Sequence, residues 1–532
     1  MKTHKKITIN ALIGVFLLFI TSCLDDLNTI PIDPNVTTSA TVFDDPAAFK
    51  EALAKVYATL AVTGQQGPHG QDDLGGADEG TAQYLRQLFV AQELCADEVI
   101  CGWGDPGIAE ANQITWDATT YGPKLMYNRI IYTISIANEY IRQALPRIGN
   151  DPERLQFIAE ARFIRALAYW HGIDLYGNIP FITEEDPVGK FLPEQGNRIE
   201  LFNYVVNELK EISPVLADPK TIEYGRVDRA SAWALLAKLY LNSEVYTTTG
   251  NTPGTPGWAE CITYCDSIIN AGYSLHPVYQ HLFLADNDLN NPEIIFAVPY
   301  DGISTQTHGG TSYLIRAQVV PTQNPADFGI NGGNRGLRAR KTLVQKFYDP
   351  SGETDTRAMF YTEGQSLENT EMGAYTDGYA VTKWKNITTQ GVPGKNGDRT
   401  DTDWPIFRLA DIYLMYAEAA LRLNDDAKIN KALDYVNLIH ERAYASDPAS
   451  GRIVKFDLTL NFIIDERARE LYWEGHRRSD LIRFGLFTGG GYLWPWKGGT
   501  LEGQGVENYY NLYPIPSTDI NANTNLVQNP GY

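Results

Sequence analysis

The sequence of 532 residues lacks the short motifs of the common catalytic sites. It has no H-E-x-x-H, no G-x-S-x-G, no P-loop and no glycine-rich dinucleotide fingerprint, and its eight histidines are scattered. This absence argues against metalloproteases, α/β-hydrolases and nucleotide-dependent enzymes. A glycosidase stays open as an alternative, because paired carboxylates leave no short signature. We therefore predict a protein that is not an enzyme and assign no catalytic residues.

Positive charge is scarce in this chain. Lys and Arg number 44 against 65 Asp and Glu, which gives a formal net charge of −21. A surface of this sign repels phosphate backbones. We expect no nucleic-acid partner.

The chain has only five cysteines. Cys23 is treated below; the others are Cys95, Cys101, Cys261 and Cys265. They could form disulfides in an oxidising compartment, or they could be small buried residues, and the i, i+4 spacing of the last two fits either reading. Zinc is not expected, because the C-x2-C spacing and a nearby histidine pair are both missing.

A calcium site has partial support in the sequence. Asp286, Asp288 and Asn290 have the 1, 3, 5 spacing of an EF-hand loop, but Asn291 replaces the turn glycine and Ala297 the final glutamate. We therefore predict no metal site and no cofactor.

Long apolar runs are also missing, apart from one at the start. Lys2, Lys5 and Lys6 precede an uncharged stretch from Ala11 to Ile20, and small residues lead directly into Cys23. Such a run is too short to span a bilayer, which needs roughly 20 helical residues. The pattern predicts a removable lipoprotein signal peptide over 1–22 and a lipid on Cys23.

The signal peptide, a tether and one body form the predicted organisation. Removing 1–22 deletes three lysines and no acid, so the charge moves from −21 to −24. Residues 23–44 are rich in Asp, Asn, Thr and Pro without an apolar period, which indicates a flexible lipidated tether. The remainder, 45–532, is predicted to be a single body.

Helical periodicity dominates that body. A helix is predicted to begin at Pro46 and another at Pro152, and further helices are predicted over 124–145, 199–216, 228–246, 258–271, 406–423, 427–443 and 460–484. Many form pairs with short connections and alanine-rich inner faces. We predict a mainly α fold of tetratricopeptide-like helical hairpins that form one scaffold, with long irregular loops and a few short β-strands.

Two loop-rich regions interrupt the helices. The first, about 64–120, has only a short predicted helix at 83–94, and the second, about 290–403, has β-like runs at 293–300 and 379–385. Long loops on a rigid scaffold often carry function. We expect the binding site there.

Four stretches together carry a family resemblance. They are AEARFIRALAYWHGIDLYGNIPF (159–181), FRLADIYLMYAEAAL (407–421), ERARELYWEGHRRSDLIRFG (466–485) and YPIPSTDINANTNLVQNPGY (513–532). With the lipoprotein start, they resemble the SusD/RagB family. Asp25 and Asp26 also resemble the acidic signal that sends lipoproteins of Bacteroidetes to the cell surface.

The resemblance implies a function as well as a fold. Members are mostly helical outer-membrane lipoproteins that face the cell exterior, take part in polysaccharide utilisation, and act as lids on TonB-dependent, SusC-like transporters. By resemblance, the protein captures oligosaccharides and delivers them to such a transporter. A lid of a RagA/RagB-like importer that captures peptides is the alternative, and a surface glycosidase is a further one.

The charged stretch 466–485 has a structural and a catalytic reading. Asp465 with Arg469 and Glu474 with Arg478 have i, i+4 spacing and are predicted to pair. Glu470 and Glu474 could act as acid and base, but interleaved arginines lower carboxyl pKa values and favour a structural role.

Trp103 is the leading candidate for ligand contact. Sugars present apolar faces and hydroxyl edges, so a glycan site needs aromatic rings flanked by polar groups. Trp103 lies between Gly102 and Gly104 and resembles in position a ligand-stacking tryptophan of the family. It is predicted to be either a ligand platform or a plug of its loop, with Arg86 and Asp105 as polar neighbours.

Tyr300 is the second candidate. It ends the β-like run 293–300 and opens the long loop, so we expect it to project at the mouth of that loop. Asp301, Tyr313 and Arg335 follow as further ligand contacts.

Overall fold

A computed structural model of the chain describes residues 43, 46–64, 67–69, 72–189 and 191–532. The chain divides into two compact units, Met1–Phe49 and Lys50–Tyr532, and the first is described only at residue 43 and over 46–49. The predicted signal peptide, the lipidation site Cys23 and nearly all of the predicted tether lie outside the described residues. Among those described, no helix is long and apolar enough to cross a membrane.

The structure is mainly helical, which confirms the predicted fold class. The longer α-helices are Pro46–Ala61, Tyr121–Ala144, Pro152–Leu175, Arg198–Ile212, Arg229–Leu241, Trp258–Ile269, Leu409–Leu423, Asp426–Ala443 and Leu460–Leu471. Shorter α-helices are Tyr84–Phe89, Ile108–Gln113, Ser243–Tyr246, Gly310–Ala317, Lys341–Val344, Pro448–Gly451, Arg477–Arg483 and Ser517–Ala522, and a π-helix spans Val90–Leu94. Short 3₁₀ turns lie at Gly67–His69, Leu145–Arg147, Tyr279–Phe283, Pro325–Phe328, Lys497–Gly499 and Asn508–Asn511.

Local sequence explains where the main helices begin. Asp151 accepts the backbone N–H of Glu153 at 3.0 Å and precedes a proline in the first turn, and Asn197 forms a capping box with Glu200. Successive helices pack as hairpins: Tyr121–Ala144 with Pro152–Leu175, Arg229–Leu241 with Trp258–Ile269, and Leu409–Leu423 with Asp426–Ala443. Fully buried alanines, including Ala230, Ala234, Ala237, Ala417 and Ala420, let these helices approach closely.

The described residues contain four two-stranded antiparallel sheets. The pairs are Val99–Cys101 with Leu337–Ala339, Ile179–Pro180 with Gln195–Gly196, Ile294–Val298 with Trp404–Arg408, and Phe360–Tyr361 with Ala380–Val381. The first and third join the two loop-rich regions to each other and to the helical scaffold.

Two local predictions are wrong, and two helices were not predicted. The helix predicted over 406–423 begins only at Leu409, because residues 406–408 belong to the strand Trp404–Arg408. Every residue of that strand is buried, so its apolar run has no period that separates strand from helix. The predicted helix 460–484 is broken after Leu471, where Trp473 and Gly475 have φ values of 63° and 88°. Helices Ile108–Gln113 and Gly310–Ala317 were not predicted, because each is short and lies in a loop-rich region.

The acids of the charged stretch form buried ion pairs, but with partners other than those predicted. Arg469 pairs with Glu466 at 2.7 Å rather than with Asp465, and Glu474 pairs with Arg408 and Lys383, both at 2.7 Å. Neither predicted i, i+4 pair occurs among the described contacts. Glu474 lies beyond the end of the helix Leu460–Leu471 and turns toward Arg408 and Lys383 of other segments.

Glu470 is the centre of this ion-pair network. Its carboxylate accepts from Arg408 at 2.6 Å, from Arg357 at 3.1 Å and from Arg442. Burial alone would raise the pKa of Glu470, but the three guanidinium groups lower it to about 2. A carboxylate held charged in this way supports the structural reading of the acids.

Cys95, Cys101, Cys261 and Cys265 are free and buried, so the disulfide alternative is not realised in the structure. Burial raises the pKa of Cys95 and of Cys101 to about 11. Across the described ranges, no group of three or more His, Cys, Asp or Glu could hold a metal ion. Asp286, from the partial calcium pattern, accepts the backbone N–H of Thr389 at 2.8 Å.

Candidate ligand-binding site

A two-stranded sheet places Trp103 beside a distant loop. Val99–Cys101 pairs with Leu337–Ala339, and the Gly102 N–H extends the ladder by donating to the Gly336 carbonyl at 3.0 Å. The chains just beyond the sheet therefore stay side by side, although more than 230 residues separate them in sequence. Sheet register, and not local sequence, brings Trp103 to this loop.

The indole of Trp103 is anchored to that loop. Its Nε1–H donates to the Asn334 carbonyl at 3.3 Å and to the carbonyl of Arg335. The ring is only partly buried. The structure therefore combines features of both predicted roles: the indole pins the loop and still exposes part of its surface.

Gln83 joins the helix that carries Arg86 to the helix that carries Tyr313. Its side-chain oxygen accepts the backbone N–H of Arg86 at 2.8 Å, which caps Tyr84–Phe89. The same oxygen accepts the Gly310 N–H at 2.9 Å, at the start of Gly310–Ala317. One buried amide therefore fixes both helices at the point where their side chains meet.

Arg86, Trp103 and Tyr313 form what we call the cation–aromatic cluster. The Arg86 guanidinium lies 4.6 Å from the ring centroid of Tyr313 and 5.7 Å from that of Trp103. The two rings meet edge to face at 5.7 Å. Arg86 is half-buried and forms no ion pair with any carboxylate of the described chain, so its donors are available to a ligand.

Tyr313 forms the floor of the cluster. Its side chain is buried, and its hydroxyl has no hydrogen-bond partner within the described residues. Burial raises the pKa of Tyr313, so the phenol stays protonated. Above this buried ring the arrangement offers one partly exposed aromatic face and one cation, which suits a ligand with an apolar face and hydroxyl edges.

Arg335 and Asp105 lie at the exposed edges of the same region. The Arg335 guanidinium lies 5.5 Å from the ring centroid of Tyr375, and its backbone has a φ of 41°. Asp105 is exposed two residues after Trp103. Tyr375 was not predicted, and its loop of Gly, Asp and Thr gave no signal for it.

The expectation that Tyr300 projects at the loop mouth is wrong. Its side chain is 5% exposed, its hydroxyl accepts from Gln83 Nε2 at 3.1 Å, and its N–H donates to Asp403 at 2.7 Å. It lies behind the helix that starts at Gly310 and supports the cluster from the inside. Sequence alone missed this because a strand end can turn inward as readily as outward.

The Asp301 carboxylate is occupied by hydrogen bonds within its own turn and is not open to a ligand. Its Oδ1 accepts the backbone N–H groups of Ile303, Ser304 and Thr305 at 3.0, 2.7 and 2.8 Å. Burial acts to raise the pKa of Asp301, but these hydrogen bonds outweigh it and lower the pKa. The residue shapes the turn after Tyr300.

Similarity of sequence to a known protein extends over the full length of this chain. It is 35% identical to the starch-binding protein SusD of Bacteroides thetaiotaomicron, and the match covers 100% of both chains. The chain belongs to the SusD family. The family model itself matches residues 350–532, and a SusD-like protein, P25 of Formosa agariphila, is 24% identical over 98% of this chain and 99% of its own.

Solved structures of the SusD superfamily share the fold. One from Bacteroides thetaiotaomicron has a TM-score of 0.70 at 19% identity and covers 92% of this chain and 100% of its own. Surface glycan-binding protein A of the same species, solved with laminarihexaose, has a TM-score of 0.67 at 20% identity and covers 91% and 99%. The SusD/RagB resemblance of the four sequence stretches is thereby confirmed.

Proposed function

We propose that this SusD family protein captures oligosaccharides at the cell surface and delivers them, as a lid, to a TonB-dependent SusC-like transporter. The cation–aromatic cluster of Arg86, Trp103 and Tyr313 carries the proposal. The protein is held on the outer membrane by lipid on Cys23 and faces the exterior. The starch-binding name of one relative and the laminarihexaose bound to a structural neighbour support a glycan as ligand.

The cluster has the chemistry that sugar recognition needs. An indole presents a flat apolar face to the C–H side of a sugar ring, while a guanidinium donates to ring hydroxyls without competition from a carboxylate. Asp105 and Arg335 add an acceptor and a donor at the edge. We propose Trp103, Arg86, Asp105 and Arg335 as ligand contacts, with Tyr313 as the buried ring that supports them. Tyr300 and Asp301 are left out, because both are held in internal hydrogen bonds.

The structure offers little support for the glycosidase alternative. Glu470 and Glu474 are buried in ion pairs and have lowered pKa values, since nearby arginines outweigh the effect of burial. A general acid needs a raised pKa and access to substrate. Binding without turnover is the function that the geometry supports best.

Trp103→Ala is the direct test of this function. We expect the affinity for the glycan that binds wild type, screened with maltoheptaose and laminarihexaose, to fall about ten-fold, since one stacked ring contributes roughly 1 to 2 kcal/mol. Titration calorimetry measures it. Tyr348→Ala, at a tyrosine that is 97% exposed, is the matched control and should leave affinity unchanged.

Other outcomes separate the alternatives. Arg86→Ala should weaken binding as Trp103→Ala does, because the two side chains belong to one cluster. Equal affinity of wild type and both variants would exclude the cluster as the site. Binding of a tryptic peptide mixture in place of glycans would favour the peptide importer, and release of reducing ends would favour a glycosidase.

A further inference from the structure

A second concave site lies in the unit Lys50–Tyr532 and contains no residue of the cation–aromatic cluster. Its volume is about 440 Å³, and it runs between residues 50–62 and the turn 223–226. We call it the Tyr224 groove. Its size falls in the range of small-molecule sites, which are mostly apolar with a few polar groups.

The base of the Tyr224 groove is apolar, and small side chains line its wall. Leu53, Leu60 and Val298 line it and are each 3% exposed or less. Ala54 and Ala58 lie one helical turn apart on the same helix face and leave space above that base. A flat ring could therefore enter without displacing a large side chain.

Tyr224 supplies an aromatic wall that is held at one end. The residue is 44% exposed, while its hydroxyl interacts with the carboxyl group of Asp403, which is buried. Asp403 in turn accepts the Tyr300 N–H at 2.7 Å. A ring fixed through its hydroxyl loses little conformational entropy when a ligand stacks on it.

Gly225 shapes the turn that presents this ring. Its φ is 80°, and a Cβ there would lie 3.0 Å from Cγ of Pro299. Both features favour glycine, since other residues rarely adopt this backbone region. The glycine thus lets the turn that carries Tyr224 approach Pro299 closely.

Polar groups stand at the rim. Lys50 and Glu223 pair at 2.9 Å with side chains 53% and 63% exposed, and Ser304 and Thr305 line the other edge. An exposed ion pair of this kind contributes little to stability. Breaking it so that the ammonium and the carboxylate bind ligand hydroxyls instead therefore costs little free energy. The rim therefore offers donors and acceptors around an apolar base.

We propose that the Tyr224 groove is a second carbohydrate subsite, in which one sugar ring stacks on Tyr224 and its hydroxyls meet Lys50, Glu223 and Thr305. The class of ligand rests on the proposed function. Tyr300 lies between the two sites: its N–H contacts Asp403, which holds Tyr224, and its hydroxyl contacts Gln83, which positions Arg86.

Hydrogen exchange with maltoheptaose and laminarihexaose tests the two sites separately. We expect protection of residues 50–62 and 223–226 in addition to 101–107. In a Trp103→Ala background, groove protection should persist, and adding Tyr224→Ala should weaken the remaining affinity about ten-fold. Tyr224→Phe is the matched control: it keeps the ring and should stay within about three-fold of the parent.

The outcomes separate the two proposals. Protection confined to 101–107, or an equal loss with Tyr224→Phe and Tyr224→Ala, would overturn the groove as a stacking subsite while leaving the proposed function in place. Protection of the groove alone would support the subsite and count against the cluster. Protection at neither place with any glycan would overturn both.

Discussion

At the scale of single residues, the orientation of Trp103 depends on a glycine. A Cβ on Gly336 would lie 2.4 Å from Nε1 of the indole, far inside van der Waals contact. The backbone of Gly336 also accepts from Gly102 N–H and so sets the register of the sheet. The ring therefore has its present position because residue 336 has no side chain.

Gly336→Ala should weaken glycan binding about as much as Trp103→Ala does, because the added methyl group displaces the indole. Titration calorimetry with the glycan that binds wild type measures this. Gly332→Ala is the control in the same segment, since a Cβ there meets no atom within 4 Å and the backbone is not left-handed. Wild-type affinity in Gly336→Ala would show that the indole position does not matter.

At the scale of secondary-structure elements, the helix Leu460–Leu471 joins several segments through charge. Glu466 and Glu470 both accept from Arg357, and Glu470 also binds Arg408 and Arg442. The acids and arginines are all 3% exposed or less at their side chains. Since a buried charge without its partner is costly, these elements depend on each other.

Glu470→Gln should destabilise the protein by about 3 to 5 kcal/mol, because three buried guanidinium groups lose a shared carboxylate. Urea unfolding monitored by circular dichroism measures the change. Glu502→Gln, at an exposed position, should change the free energy of unfolding by less than about 0.5 kcal/mol. A loss below about 1 kcal/mol for Glu470→Gln would show that the network is not a major source of stability.

The same carboxylate predicts a pH dependence. The pKa of Glu470 is lowered from 4.5 to about 2, since Arg442, Arg408 and Arg357 outweigh the effect of burial. Its stabilisation is therefore fully present above about pH 4.5 and is lost as pH falls toward 2. Urea midpoints are measured at pH 7, 5, 4 and 3. Between pH 5 and 3 the midpoint should fall more steeply in wild type than in Glu470→Gln, whereas between pH 7 and 5 this carboxylate contributes no difference in slope. Identical slopes would contradict the assignment.

At the scale of the whole molecule, the proposed function combines a strongly acidic body with a lipid anchor. The chain without residues 1–22 has a net charge of −24, which favours solubility. No described helix could span a membrane. The proposed function attaches the protein to the surface through the lipid proposed on Cys23.

Cys23→Ala should abolish lipidation and release the protein from the membrane fraction, because the thioether-linked lipid has no other attachment point in the predicted signal site. Metabolic labelling with a radioactive fatty acid measures it. Cys95→Ala, at a buried free thiol, is the control and should label as wild type does. Full labelling of Cys23→Ala would contradict the predicted anchor.

The sequence by itself determined the helical scaffold and the family. Caps such as Asp151 and periodic apolar faces act within a few residues, so helix starts at Pro46 and Pro152 were readable. The four quoted stretches suffice for the family, and the sequence also indicates Arg86, Trp103 and Tyr313 as candidate ligand contacts. The features that indicate these candidates are the glycines around Trp103 and the long loops.

Tertiary structure alone decided which of these residues meet and which turn inward. A hydrophobic pattern reports that a residue is buried but not what it contacts, so the partners of Glu470 could not be read from its helix. Strand register joined Trp103 to Arg335, and the amide of Gln83 joined Arg86 to the helix of Tyr313 while burying Tyr300. These contacts link segments far apart in sequence, and only the folded chain brings them within hydrogen-bonding distance.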